Sequence, residues 1–139
     1  MTDLQLAKEN LADNSIALCK DGKVITSRKR GVAPLVDMLR EGVDLRGYSA
    51  ADRVVGKAAA MLFVKVGVVS VFAQTLSESG KAFLESYGVP VSFETLTKVI
   101  VNREGTGMCP MEQTVFDLES VEEGVSAVSK KLDEMRSKT

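Results

Sequence analysis

The chain has 139 residues, of which 45% are hydrophobic; this suffices for one compact domain with its own core and is too little for two. Eighteen basic residues face 19 acidic ones, so the net charge of −1 provides no general attraction to nucleic acid or to an anionic membrane. Histidine is absent, which excludes Ser-His-Asp and Cys-His catalysis and histidine-based zinc sites.

The N-terminal segment and the cysteine content indicate a cellular location. MTDLQLAKENLADN has neither the basic start nor the apolar core of a signal peptide, and no apolar run is long enough to cross a bilayer. Two cysteines, Cys19 and Cys109, suit free thiols better than a disulfide scaffold. We therefore expect a cytosolic protein without membrane contact. Aromatic residues make up only 5% of the chain, so no extended nucleic-acid surface is expected.

The first half of the chain predicts a helix, a hairpin and two further helices. Leu4 to Ala12 has apolar residues at helical spacing, and SIALCKDGKVITS indicates two strands about the turn at Asp21 and Gly22. A helix from Pro34 to Gly42 follows. From Asp52 to Val66 the chain is apolar on nearly every side, which is typical of a helix in the centre of a domain.

The second half predicts parallel strands. VVSVFAQ is a continuous apolar run, which favours a strand covered on both faces. A helix from Ser77 to Tyr87 and the strand VPVSFE complete a strand-helix-strand unit of about thirty residues, which indicates parallel pairing. Ser120 and Glu123 form a capping-box pattern at the start of a C-terminal helix. We predict a single α/β domain over residues 1–139, with helices packed on a mixed sheet that starts from an antiparallel hairpin and is extended by parallel strands.

The most distinctive segment is GTGMCPMEQTV, residues 105 to 115. Pro110 and Glu112 fit the first turn of a helix, with the glutamate reaching back toward the cap. Cysteine is not a preferred N-cap residue, so capping alone does not explain Cys109. An exposed thiol at a helix N-terminus is favoured as the reactive thiolate, whereas repulsion from Glu112 opposes that form. Cys19, inside the apolar run IALC, is expected to be a packing residue.

A similar pattern occurs at SAAD, residues 49 to 52. It predicts a helix start with Ser49 as N-cap and Asp52 in the first turn, where the helix dipole favours a carboxylate. A capping role and a role in a functional site are compatible for Asp52.

Three segments, ALCKDGKVITS, DRVVGKAAAMLF and NREGTGMCPMEQTV, resemble an uncharacterised bacterial and archaeal family of the cytidine-deaminase-like superfamily. The resemblance covers a core of about residues 15–118, flanked by an N-terminal helix at about 3–12 and a C-terminal helix at about 120–137. It implies a cytidine-deaminase-like layered fold, a hairpin followed by alternating helices and strands, in agreement with the elements predicted above. It carries no established activity.

The resemblance also bears on metal binding. Working members of the superfamily place a His/Cys-Ala-Glu motif and a Pro-Cys-x-x-Cys motif at the starts of two helices that converge on zinc. The corresponding positions here are Ala50-Ala51-Asp52 and Cys109-Pro110-Met111-Glu112. An alanine replaces the first ligand and Glu112 replaces a cysteine, so the set falls short of the three protein ligands of catalytic zinc. We expect no metal, no other cofactor and no zinc-dependent deamination.

Two loops are candidates for anion binding. NREGTGM leads into a helix start and SRKRG, residues 27 to 31, follows a strand, so both would present N–H groups and cations to a phosphate. The spacing matches neither a Walker A nor a dinucleotide motif, and a turn and a solvated charge run are the alternatives. The residues predicted to contribute to ligand binding are Arg103, Asn102, Gly107 and Lys57.

Three function classes remain open. The first is a module that binds a nucleoside- or nucleotide-like small molecule in a pocket between the helix starts at Asp52 and Cys109. The second is an enzyme in which Cys109 is the nucleophile and Asp52 or Glu112 transfers protons. The third is a structural or oligomerisation module. The resemblance implies a homo-oligomer in each case.

Overall fold

A five-stranded mixed sheet with the strand order β2-β1-β3-β4-β5 forms the centre of the structure. The structure, a computed structural model, describes residues 1–137. Its elements in chain order are α1 Asp3–Glu9, β1 Ile16–Lys20, β2 Lys23–Ser27, α2 Ala33–Arg40, β3 Ser49–Val55, α3 Lys57–Val66, β4 Ser70–Ser77, α4 Glu78–Ser86, β5 Val91–Thr97, α5 Pro110–Val115 and α6 Val121–Ser137.

The sheet combines antiparallel and parallel pairs, as predicted. β1 and β2 pair antiparallel about Asp21 and Gly22, which both have positive φ, at 50° and 82°; this is the geometry that two-residue hairpin turns require. β3 pairs antiparallel with β1 and parallel with β4, and β4 pairs parallel with β5 across α4. The α/β class, the hairpin and the strand-helix-strand unit are therefore confirmed.

Strand β3 stands where the sequence predicts the start of a helix, and that prediction is wrong. Ser49 is not an N-cap, since it lies in β3 and its Oγ accepts a hydrogen bond from Ser70 Oγ at 2.8 Å. Asp52 is also a strand residue. Ala50 and Ala51 are fully buried between β1 and β4, where small side chains fit although alanine favours helices in isolation.

Helix α3 is central, as predicted, but begins at Lys57 after Gly56. Its residues from Ala58 to Phe63 are almost completely buried. Helix α6 packs closely against one side of α3. The contact is so close at Gly124 that an added Cβ there would overlap the Met61 side chain. The start of α6 is confirmed, since the Glu123 N–H donates to Ser120 Oγ at 3.2 Å. The helices α2, α4, α5 and α6 all pack against this buried helix, so α3 is the centre of the helical layer on its face of the sheet.

The opposite face of the sheet is covered by α1, which packs on Cys19, Ala51 and Phe72. Cys19 is fully buried there, in line with its predicted packing role. Within residues 1–137, no helix is both long enough and apolar enough to span a membrane.

Candidate functional site

The starts of α3 and α5 meet at Glu112. Its side chain belongs to α5, and its two carboxylate oxygens accept hydrogen bonds from the backbone N–H groups of Lys57 at 2.7 Å and Ala58 at 2.9 Å. A helix leaves such N-terminal N–H groups without partners of its own, and the N-cap residue Gly56 has no side chain to bind them. Glu112 is therefore the cap of α3, donated by another helix and favoured by the α3 dipole.

Gly56 provides the space for this cap. A Cβ at residue 56 would overlap the Glu112 carboxyl group. Helix α4 also lies close to the backbone of Gly56. A Cβ added at Gly80 of α4 would lie 2.9 Å from the carbonyl carbon of Gly56. The φ and ψ of Gly56 are −108° and −167°, an extended conformation open to any residue. Glycine is thus needed here for its size.

The capping box expected within α5 is wrong. Cys109 is the N-cap residue of α5, but its side chain makes no capping hydrogen bond, and Glu112 reaches α3 instead of turning back to Cys109. The Cys109 N–H donates to the Ile100 carbonyl at 2.9 Å. The half-buried Cys109 thiol therefore has no capping role.

A cleft of about 680 Å³ opens beside this junction, between the end of β3, the starts of α3 and α5, and α6. Five residues that the sequence predicts for the site line it: Asp52, Asn102, Arg103, Cys109 and Glu112. Most of the remaining wall is apolar and includes Val32, Ala58, Ala59, Ile100, Met111 and Leu132. Its size and largely apolar lining with a few polar groups are those of small-molecule sites.

Asp52 is the least exposed charged residue of this cleft, at 6%. Burial raises its pKa to about 7, against the opposing effect of hydrogen bonds from the backbone N–H groups of Arg53 and Val54 and of the Arg53 charge. The Arg53 N–H donates to Asp52 Oδ1 at 2.8 Å. A carboxyl group that titrates near neutral pH can act as an acid or a base, or donate a hydrogen bond to a ligand.

Three arginines line the cleft, and they differ in how they are held. The Arg53 guanidinium donates to the carbonyl oxygens of Leu11, Ala12 and Asn14 at 2.6 to 3.0 Å, so it anchors the chain after α1. Arg30 and Arg103 are exposed cleft residues, and within residues 1–137 neither guanidinium has a hydrogen-bond or ion-pair partner. They come from the two loops that the sequence indicated for anion binding, and both are available to a ligand.

Two residues predicted for ligand binding lie elsewhere. Lys57 is 8% exposed, and its Nζ donates to Glu119 Oε1 at 3.0 Å and to the Phe116 carbonyl at 3.3 Å. It lines a second, smaller cleft of about 310 Å³. The carbonyl of Gly107 accepts from the Asn102 N–H at 2.8 Å, closing the turn before α5. Neither residue is among those that line the larger cleft.

Arg53 of β3 and two residues of α6, Leu132 and Met135, also line the cleft. The sequence pattern places Arg53 in a helix and the two α6 residues on the apolar side of the C-terminal helix, and it predicts none of the three for the site. The spacing of apolar residues in α6 predicts a packed helix, but no local signal identifies which part of the protein it packs against.

The described residues do not fit the zinc centre of the deaminase-like enzymes. Ala50, which the resemblance aligns with the first ligand, is buried in β3, and both carboxylate oxygens of Glu112 accept hydrogen bonds from the backbone of α3. Between residues 1 and 137, no three His, Cys, Asp or Glu side chains are grouped to hold a metal ion.

The two thiols are expected to differ in their reaction with iodoacetamide at neutral pH. Cys109 lines the cleft and is half-buried, whereas Cys19 has no exposed surface. Mass spectrometry of the native protein should find the label on Cys109 alone, because alkylation requires access to the thiolate. The Cys109→Ser variant should remain unlabelled. Equal labelling of both cysteines in the folded protein would contradict this assignment.

Comparison with known proteins identifies relatives by sequence and by fold. Residues 5–132 match the family model described as a domain of unknown function, DUF1893. The crystal structure of a DUF1893 family protein, TM1506 from Thermotoga maritima, is similar with a TM-score of 0.84 and 24% identity, over 94% of this chain and 91% of that one. At this identity the structural similarity establishes the fold alone. No curated protein matches the chain.

Proposed function

The chain belongs to the DUF1893 family, a domain of unknown function, and we propose that it is a binding module for a nucleoside- or nucleotide-like small molecule. The ligand occupies the cleft lined by Asp52 and Cys109. One observation carries the proposal: a buried carboxyl group, Asp52, and two exposed guanidinium groups, those of Arg30 and Arg103, line one largely apolar cleft. Apolar walls suit a base, and guanidinium groups bind phosphate through paired N–H donors.

The charge balance of the cleft favours an anionic ligand. Glu112 is bound to the α3 N-terminus, which offsets its negative charge. Asp52, with a pKa of about 7, is only partly ionised near neutral pH. The exposed charged residues that line the cleft are two arginines, Arg30 and Arg103, and one glutamate, Glu104. Together they give this part of the cleft a net positive charge. A ligand that carries phosphate beside an apolar ring meets both features of this cleft.

The proposal includes membership of the cytidine-deaminase-like superfamily and a cytosolic location. The hairpin followed by helices and strands supports the first, as does the meeting of the α3 and α5 starts at Glu112. The N-terminal tip that meets α5 is at Lys57, however, so Asp52 reaches the cleft from the strand before the helix. The free thiols of Cys19 and Cys109 support the cytosolic location.

A second candidate function is an enzyme in which Cys109 is the nucleophile. It is favoured by the Cys109 thiol, free of capping contacts, in a cleft where Asp52 titrates near neutral pH. Asp52 suits proton transfer better than Glu112, whose two oxygens both accept hydrogen bonds from α3.

A thermal-shift screen tests the binding module. With nucleosides and nucleoside mono- and diphosphates at about one hundred times the dissociation constant, a binder adds about 2.7 kcal/mol to the free energy of unfolding. We expect a phosphate-bearing compound to raise Tm by several degrees, and the Arg30→Ala, Arg103→Ala double variant to lose most of that rise.

The matched control for this screen is Arg28→Ala, since Arg28 is also exposed and in the same loop but does not line the cleft. It should respond as the wild type does. A panel in which no compound shifts Tm contradicts the proposal. So does a shift that persists undiminished in the double variant.

A further inference from the structure

Two exposed stretches of the chain carry residues of the larger cleft. The 28–31 loop, between β2 and α2, is exposed throughout and includes Arg30. The end of α6, residues 133–137, is exposed as well and includes Met135. Burial of apolar side chains therefore contributes little to holding either stretch in place, and polar contacts take over that role.

Both stretches are bound by one carboxylate, that of Asp37 in α2. Asp37 Oδ2 accepts a hydrogen bond from Lys29 Nζ at 2.8 Å. The Arg136 guanidinium donates to Asp37 Oδ1 at 3.1 Å and to Oδ2 at 2.9 Å. Each cation is the immediate chain neighbour of a cleft residue, since Lys29 precedes Arg30 and Arg136 follows Met135.

The geometry of Asp37 suits a firm attachment. Its side chain is only 17% exposed, and it accepts from Arg136 in the bidentate arrangement while it also holds Lys29. Single ion pairs at a surface contribute little to stability, whereas bidentate pairs and networks of charges contribute more. Hydrogen bonds from Arg136 and Lys29 lower the pKa of Asp37 to about 2, so the group is ionised at neutral pH.

A second ion pair joins α2 to α6. The Arg40 guanidinium donates to the two carboxylate oxygens of Asp133, each at 2.9 Å. Between residues 1 and 137 its hydrogen-bond partners are Asp133 and Ser129, both in α6. This pair supports α6 alone, whereas Asp37 binds α6 and the 28–31 loop to the same group.

We infer that Asp37 is a positioning residue for the larger cleft: it clamps the 28–31 loop and the end of α6 onto α2, and so holds Arg30 and Met135 at the cleft before any ligand arrives. The clamp is a property of the fold, and its effect on affinity rests on the proposed function. A ligand that meets an ordered wall does not have to order these stretches itself, which avoids an entropy loss on binding. Without the clamp, a nucleoside monophosphate should bind about tenfold more weakly.

Backbone ¹⁵N relaxation of the ligand-free protein tests the clamp. In the wild type the order parameters of the Arg30 and Met135 amides should be about 0.85, as in rigid backbone. In Asp37→Asn, which keeps the size of the side chain and removes its charge, both should fall to about 0.6 or below. Asp133→Asn breaks only the second ion pair, so it should lower the value for Met135 and leave that for Arg30 unchanged.

The matched control is Asp44→Asn. Hydrogen bonds from Arg46 lower the pKa of Asp44 to about 2 as well, but neither residue lines the cleft, so both order parameters should stay at their wild-type values. Circular dichroism checks that each variant is folded. Order parameters that stay high in Asp37→Asn, or that are already low in the wild type, overturn the inference.

Isothermal titration calorimetry with adenosine, cytidine and their monophosphates tests the effect on binding. Asp37→Asn should weaken the binding of a monophosphate about tenfold and that of its parent nucleoside less, because the loop carries Arg30, a proposed phosphate contact. An unchanged affinity, or an equal loss for both compounds, would show that Asp37 does not position Arg30 for the ligand. If the wild type binds none of the four, the proposed function fails, and the relaxation measurement still decides whether the clamp exists.

Discussion

Replacing Asp52 with asparagine is expected to remove a loss of stability that the wild-type protein undergoes as the pH rises from about 4 to about 7. Burial raises the pKa of Asp52 to about 7 in the folded protein, from its ordinary value of 3.8. Between these two pH values the unfolded chain releases the proton first and binds fewer protons than the folded one. The free energy of unfolding therefore falls as pH rises.

The size of this effect follows from the shift. The change in the pKa of Asp52 corresponds to about 4 kcal/mol, present below pH 4 and lost by pH 8. Urea unfolding at a series of pH values should give similar stability for wild type and Asp52→Asn near pH 4. Near pH 8 the variant should be the more stable by up to about 4 kcal/mol.

Asp37 provides a control, because its pKa is shifted in the opposite direction to that of Asp52. Hydrogen bonds from Arg136 and Lys29 lower its pKa to about 2, so its contribution is present above pH 4 and is lost as the pH falls. Asp37→Asn should therefore cost stability at neutral pH, by about 1 kcal/mol because its partners are exposed, and little near pH 2. If the curves of wild type and Asp52→Asn run parallel from pH 4 to pH 8, Asp52 is not a carboxyl group with a raised pKa.

Gly56→Ala is expected to destabilise the protein by about 3 kcal/mol, the sum of overpacking and of a displaced helix cap. The new Cβ would overlap the Glu112 carboxyl group, which must then leave the N–H groups of Lys57 and Ala58. Urea unfolding measures the loss. Gly107→Ala is the matched control, because a Cβ there meets nothing within 4 Å; it should change the free energy of unfolding by less than about 0.5 kcal/mol.

A double-mutant cycle separates the overlap from other effects. Glu112→Ala alone removes the α3 cap and should cost about 1 to 2 kcal/mol. In that background Gly56→Ala should cost much less than it does in the wild type, because the overlapping group is gone. Strictly additive losses would show that the two residues do not interact, and would contradict the capping of α3 by Glu112.

Local signals were sufficient to predict the hairpin and the parallel strand-helix-strand unit. The turn at Asp21 and Gly22 requires residues that accept positive φ, and the apolar run of β4 is long enough to show that both faces are covered. β3 was not predictable in this way. Ala50 and Ala51 favour a helix by intrinsic propensity, and only their position between β1 and β4 makes them strand residues.

The sequence predicted most of the residues that line the candidate site, but it did not predict the contacts that hold them in place. Five of the seven predicted residues line one cleft, because the assumption that two helix starts converge was close to the observed arrangement. The sequence could not show that Glu112 caps a different helix, since that contact joins residues 54 and 55 positions apart. Such tertiary hydrogen bonds leave no periodic signal in the chain.

Nuclear magnetic resonance tests the central claim most directly, that the cleft beside Asp52 and Cys109 is a ligand site. The ¹⁵N-labelled protein would be titrated with adenosine and cytidine and with their monophosphates. The proposal predicts saturable shifts of the Asp52, Arg53, Arg103 and Cys109 amides for at least one monophosphate. No saturable shift with any of the four compounds, or shifts confined to the smaller cleft around Lys57 and Lys98, would contradict it.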